Sequence, residues 1–103
     1  MTQKKPGPVR LDRVLGEVLD RHGLQDQVRR MSVLELWPDI VGSGIARVTR
    51  ARGVEDAKLF VEVRTSAWLM ELDMMKAELL ARVNERLSEA PLERIVFVLA
   101  ETG

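Results

Sequence analysis

Between Thr65 and Leu87 apolar residues recur every three or four positions. Trp68, Leu72, Met75, Leu79 and Val83 make one face of a helix, and Leu69, Leu80 and Leu87 widen it. Glu71, Lys76, Glu78, Arg82, Glu85 and Arg86 fall on the other side, so the pattern predicts a single long amphipathic helix. Ser66 is the first choice of N-cap and Thr65 the second, because a hydroxyl there accepts from a free N–H of the first turn. Pro91 cannot continue a helix and sets the stop between Leu87 and Ala90.

Upstream, Leu11, Val14, Leu15, Val18 and Leu19 repeat at helical spacing up to Gly23, predicting a first helix over Leu11 to His22. Val28, Met31, Leu34 and Trp37 predict a second helix from Leu24. It should stop near Trp37, since Pro38 disfavours helical geometry in the residue before it. The run from Pro38 to Gly44 then reads as a turn.

Alternation predicts a strand over Ile45 to Ala51, with Ala46 and Val48 on one face and Arg47 and Thr49 on the other. Arg52 to Ala57, containing Gly53, reads as a hairpin loop. A second strand, Lys58 to Arg64, points Leu59, Val61 and Val63 inward and Phe60, Glu62 and Arg64 outward. Ile95 to Leu99 is apolar and β-branched, as expected for a strand covered by its neighbours. The order is α-α-β-β-α-β, an α+β fold in which a three-stranded sheet carries its helices on one face and a right-handed crossover joins the last two strands.

The 103 residues suffice for one modest core. Met1 to Arg10, with Lys4, Lys5, Pro6, Gly7 and Pro8, is expected to be a flexible basic arm ahead of a single domain over residues 11–103. There is no cysteine, which removes disulfides and thiolate metal sites. The apolar runs fall far short of the roughly 20 residues that cross a bilayer, and the start lacks a signal-peptide core. A cytoplasmic protein with no membrane partner is the expectation.

Enzymatic constellations are missing. His22 is the one histidine, so triads and histidine-based metal sites are excluded; no catalytic residue, metal ligand or cofactor is expected. His22 reads as a surface residue at a helix end. Gly42-Ser43-Gly44 lacks the lysine and the strand-to-helix context of a phosphate loop and reads as a turn.

Sixteen basic and 16 acidic side chains cancel, so any attraction for nucleic acid must be local. The candidate patch is Arg47, Arg50 and Arg52, joined by Arg64 and by Lys4, Lys5 and Arg10 of the arm; such a group would neutralise phosphates. The same arginines also read as ordinary edge charges, partly paired with Glu55, Asp56 and Glu62. Only Trp37, Phe60, Trp68 and Phe97 are aromatic, and most sit in apolar patterns, so a base-stacking platform is hard to build. Trp37 leans toward the core. Trp68, with Met70 and Met74, is the candidate partner-binding set, although a tryptophan in an apolar stripe is also a natural core residue.

Three segments occur together: Trp37-Pro38-Asp39-Ile40-Val41-Gly42, the strand Lys58-Leu59-Phe60-Val61-Glu62-Val63, and Thr65-Ser66-Ala67-Trp68-Leu69-Met70-Glu71-Leu72. In this order and spacing they resemble the bacterial DciA-like family from about Leu11 to Leu99, with Ser66-Ala67-Trp68 as the most specific part. The resemblance implies a KH-like fold and a role in DNA replication, in which the protein assists loading of the replicative DNA helicase and binds single-stranded DNA. The glycine-rich loop by which KH domains clamp a backbone has no match here. Two other readings stand beside it: an RNA-binding module of the KH-like fold that the resemblance implies, or a homo-oligomeric interaction scaffold suggested by the neutral charge and by Val33, Leu36, Met70 and Met74.

Overall fold

The computed structural model describes residues 24–101. The expected basic arm, the helix over Leu11 to His22, and with them Lys4, Lys5, Arg10 and His22, lie outside the described residues. The elements are α1 (Leu24–Met31), α2 (Val33–Val41), α3 (Ser43–Val48), β1 (Thr49–Glu55), β2 (Lys58–Val63), α4 (Ser66–Met74), α5 (Lys76–Leu87) and β3 (Arg94–Leu99). β2 is the central strand, antiparallel to β1 and parallel to β3. This is the expected α+β class, with its three-stranded mixed sheet and the expected alternation of helices and strands.

The core forms on one side of β2. Leu59, Val61 and Val63 are wholly buried, and against them close Val33, Trp37 and Val41 of α2, Leu72 of α4, and Leu79, Val83 and Leu87 of α5. Burying each such side chain is worth about 1.5–3 kcal/mol. The second stripe of the long helix, Leu69 and Leu80, packs at the margin.

Several boundaries differ from expectation for physical reasons. The second helix neither runs unbroken nor stops at Trp37: it breaks softly at Ser32, whose hydroxyl donates to the Arg29 carbonyl at 2.6 Å, and resumes as α2 with Pro38 inside it. Val33, Trp37 and Val41 stand four apart on the buried face, and that burial outweighs the hydrogen bond that Pro38 cannot donate. Val28 and Met31, expected on the apolar face, are exposed, and Val33, expected to be spare, is buried.

The expected strand at Ile45 is instead the short helix α3, and β1 begins only at Thr49. Thr49 fixes the change. The Trp37 indole Nε1–H donates to its Oγ1 at 2.9 Å, and that hydroxyl donates to the Ile45 carbonyl at 2.7 Å, tying α2, α3 and β1 together. β1 then runs through the predicted loop to Glu55, and the hairpin closes on Asp56 and Ala57, both with positive φ (51° and 61°), as a tight two-residue turn requires. Gly53, which suggested the loop, lies instead beside a bulge where the register shifts between Ala51 and Gly53.

The long helix is two helices. At Met75 the N–H turns back to the Leu72 carbonyl at 3.0 Å, ending α4 before α5 begins. The break lets α4 pack on the ends of β2 and β3 while α5 crosses α2. The N-cap is Thr65, whose hydroxyl accepts from the Trp68 N–H at 3.2 Å, not Ser66. α5 ends at Leu87, within the expected limits. Asn84 holds the connection to β3 by donating to the Leu92 carbonyl at 2.9 Å and accepting from the Leu92 N–H at 2.8 Å. β3 is an edge strand, and its end is uncovered: Val98 and Leu99 are exposed, against expectation.

The glycine triplet is a helix junction. Gly42 (φ 89°, ψ 164°) occupies a region open essentially to glycine alone, whereas Gly44 lies within α3. Gly42→Ala should therefore cost about 1–3 kcal/mol although no atom would meet the new methyl. Gly44→Ala should be neutral or stabilise by up to about 1 kcal/mol. Urea denaturation of both variants checks this, and equal midpoints would contradict the junction geometry.

Candidate nucleic-acid and partner interface

The β1–β2 register brings the outward cations together. Arg50 stands opposite Glu62. Just beyond the strands, the Arg64 N–H continues the ladder by donating to the Val48 carbonyl at 2.9 Å. Arg47, in the last turn of α3, reaches the same place. Arg47, Arg50, Glu62 and Arg64 line one groove of about 300 Å³ at the end of the sheet, together with Val48, Thr49 and Ala100. Arg47, Arg50 and Arg64 are exposed and form no ion pair with another described residue. Three guanidiniums around one half-buried carboxylate leave a local positive excess despite the neutral total, which suits an anionic backbone.

Arg52 does not line this groove. It is the extra residue of the bulge, and its guanidinium forms an ion pair with Glu62. Both partners are partly exposed, so the pair contributes at most about 1 kcal/mol. Glu62 thus satisfies Arg52 on one side and tempers the arginine groove on the other. Glu55 and Asp56, the other expected partners, make no ion pair among the described residues.

The candidate partner residues divide. Trp68 is half-buried and lines a mostly apolar depression of about 440 Å³ with Ile45, Ala67, Glu71 and Met75. Met70 and Met74 are 70% and 82% exposed, and at about 100° per residue they lie about 200° and about 240° around the helix from Trp68, so both face away from it. The depression needed Ile45, which a strand reading of that stretch had hidden. Trp37 is only 2% exposed and belongs to the core. Among the described residues no cluster of histidine, aspartate and glutamate could hold a metal, no buried side-chain polar atom lacks a partner, and no helix is long and apolar enough to cross a membrane.

The family model described as "Dna[CI] antecedent, DciA" matches residues 10–97. The chain belongs to the DciA family. Curated relatives of this DciA-family chain are named only as UPF0232 proteins. The one from Corynebacterium glutamicum is 31% identical over 80 residues, covering 78% of this chain and 45% of the relative. Those from Mycolicibacterium paratuberculosis and Mycobacterium tuberculosis are each 34% identical, over 76 and 83 residues, covering 74% and 76% of this chain and 42% and 44% of their own. The chain therefore spans less than half the length of these relatives. The DciA match includes the three arginines of the groove and the Trp68 depression alike.

Because Met70 and Met74 contribute nothing to the core, replacing both with serine should change stability by less than about 0.5 kcal/mol. Thermal unfolding of the double variant checks this; a larger loss would mean that these side chains pack within the fold.

Proposed function

We propose that this DciA-family chain is a non-enzymatic DNA replication accessory protein of the cytoplasm, which binds the replicative DNA helicase, assists its loading and holds single-stranded DNA weakly. Membership over residues 10–97 carries this reading. Residues 11–103 would act as one domain behind the basic arm, and the arrangement of the surface supports a division of labour.

The arginine groove, with Lys4, Lys5 and Arg10 of the arm, supplies the phosphate contacts; Arg52 adds to them only when it leaves Glu62. The Trp68 depression supplies the helicase contact. A half-buried tryptophan lining a mostly apolar depression gives large desolvation on docking, which is where binding energy concentrates at protein interfaces. Exposed Met70 and Met74 extend the contact on the far side of α4. Loading follows by mass action: a module that prefers one helicase conformation raises its population, and a nearby strand is held where that conformation can enclose it.

Two measurements test the halves separately. In a titration with labelled single-stranded DNA, binding should weaken with salt by about 0.7 log units per log unit for each phosphate neutralised, and replacing Arg47, Arg50 and Arg64 together by glutamine should reduce that slope by about 2. Affinity indifferent to salt would defeat the groove. In a pull-down with the organism's own replicative helicase, Trp68→Ala should cut retention at least about tenfold while leaving the salt slope intact. A variant retained like the parent would remove Trp68 from the contact.

A further inference from the structure

The described helices pack on one side of the sheet, and the register defines which described residues occupy the other. Leu59, Val61 and Val63 take the core side of β2, so Phe60 and Glu62 take the opposite side. Phe60 stands between Gly53 of β1 and Val96 of β3, and Glu62 between Arg50 and Val98. Neither Phe60 nor Val96 packs against the core cluster, and Val98 is 41% exposed. Gly53 carries no side chain to cover the flank of Phe60, and open space surrounds it. The centre of this face is thus a partly exposed aromatic in an apolar strip, outside the core cluster of the described residues.

Its surroundings are cationic. At one end Lys58 stands opposite Arg94, at the other lies Arg50, and the bulge adds Arg52. Against these four stand Glu62, already paired with Arg52, and Glu55. The arginine groove adjoins the Arg50 end, because Arg50 and Glu62 belong to both.

We infer that the sheet face opposite the helices is a stacking surface for single-stranded nucleic acid, with Phe60 beneath a base and Arg50, Arg52, Lys58 and Arg94 facing phosphates. The inference rests on the strand-binding half of the proposed function and adds a second kind of contact to it. An aromatic on an open strand with cations on either side supplies both parts of sequence-tolerant recognition, a π-face for any base and charge for the backbone. A second copy of the chain is disfavoured as occupant, because two-fold pairing of this face would bring like charges together.

The test uses the whole chain and a labelled oligothymidylate of about 20 nucleotides, longer than the roughly 4–16 that a small fold covers, with oligouridylate in parallel. Phe60→Leu keeps an apolar side chain but removes the π-face, and should weaken binding at least about fivefold without changing the salt slope. Phe60→Trp should keep or improve affinity. Phe60→Leu binding like the parent, or Phe60→Trp losing as much as Phe60→Leu, overturns the inference and leaves the arginine groove and the helicase contact standing. No binding by the parent at low salt overturns both this inference and the strand-binding half of the proposed function. Oligouridylate bound in preference to oligothymidylate keeps the surface and identifies its strand as RNA.

Discussion

The fold depends on covering one face of one strand. β2 is paired on both edges, so its backbone is satisfied by β1 and β3, and what remains is to bury Leu59, Val61 and Val63. No single helix covers all three. α2, α4 and α5 share the task, which explains why each departs from its locally preferred form. α2 carries a proline within it because Trp37 and Val41 must reach the core on either side of Pro38. α4 and α5 part at Met75 because one must follow the sheet and the other cross α2. In both cases side-chain burial, worth kilocalories per residue, exceeds the cost of a missing backbone hydrogen bond.

A one-sided core also organises the surface. Most of the described acids lie on the outer faces and ends of the helices, among them Glu71, Asp73, Glu78, Glu85 and Glu89, and several are matched there: Asp73 by Lys76, Glu78 by Arg82 and Glu89 by Arg29. The sheet side and its Arg47–Arg64 end hold the less compensated cations. A chain with zero net charge can therefore present a positive surface, because a field acts over about a Debye length and not over the whole molecule. The Trp68 depression lies between α3 and α4, so the strand-facing and partner-facing features occupy different parts of one small body.

The bulge at Arg52 shows how a single residue redistributes function. Without it, Arg50 and Arg52 would stand at equivalent positions of a regular strand. The extra residue shifts the phase of β1, so that Ala51 and Val54, three apart, both pack on the core, and Arg52 turns to Glu62. That leaves Arg47, Arg50 and Arg64, gathered at one end of the sheet, without an ionic partner among the described residues. It also places Gly53 beside Phe60.

Periodicity alone determined the α+β class, the order of helices and strands, the inward residues of β2 and the Trp68 stripe, because each rests on which residues must leave water, and Pro91 set the C-terminal limit of α5. The motif from Trp37 to Leu72 was enough to indicate the DciA family. Local signals failed where a distant contact outweighed them: Pro38 within α2, the helix at Ile45 that Thr49 and Trp37 hold in place, and Gly53 in a strand whose turn falls at Asp56 and Ala57. Cations in the sequence marked a candidate patch, but only strand register could separate Arg52 from Arg47, Arg50 and Arg64, and only the short helix at Ile45 could complete the Trp68 depression. Side-chain chemistry is written in the chain, whereas neighbourhood between residues far apart in sequence exists only once the core has closed.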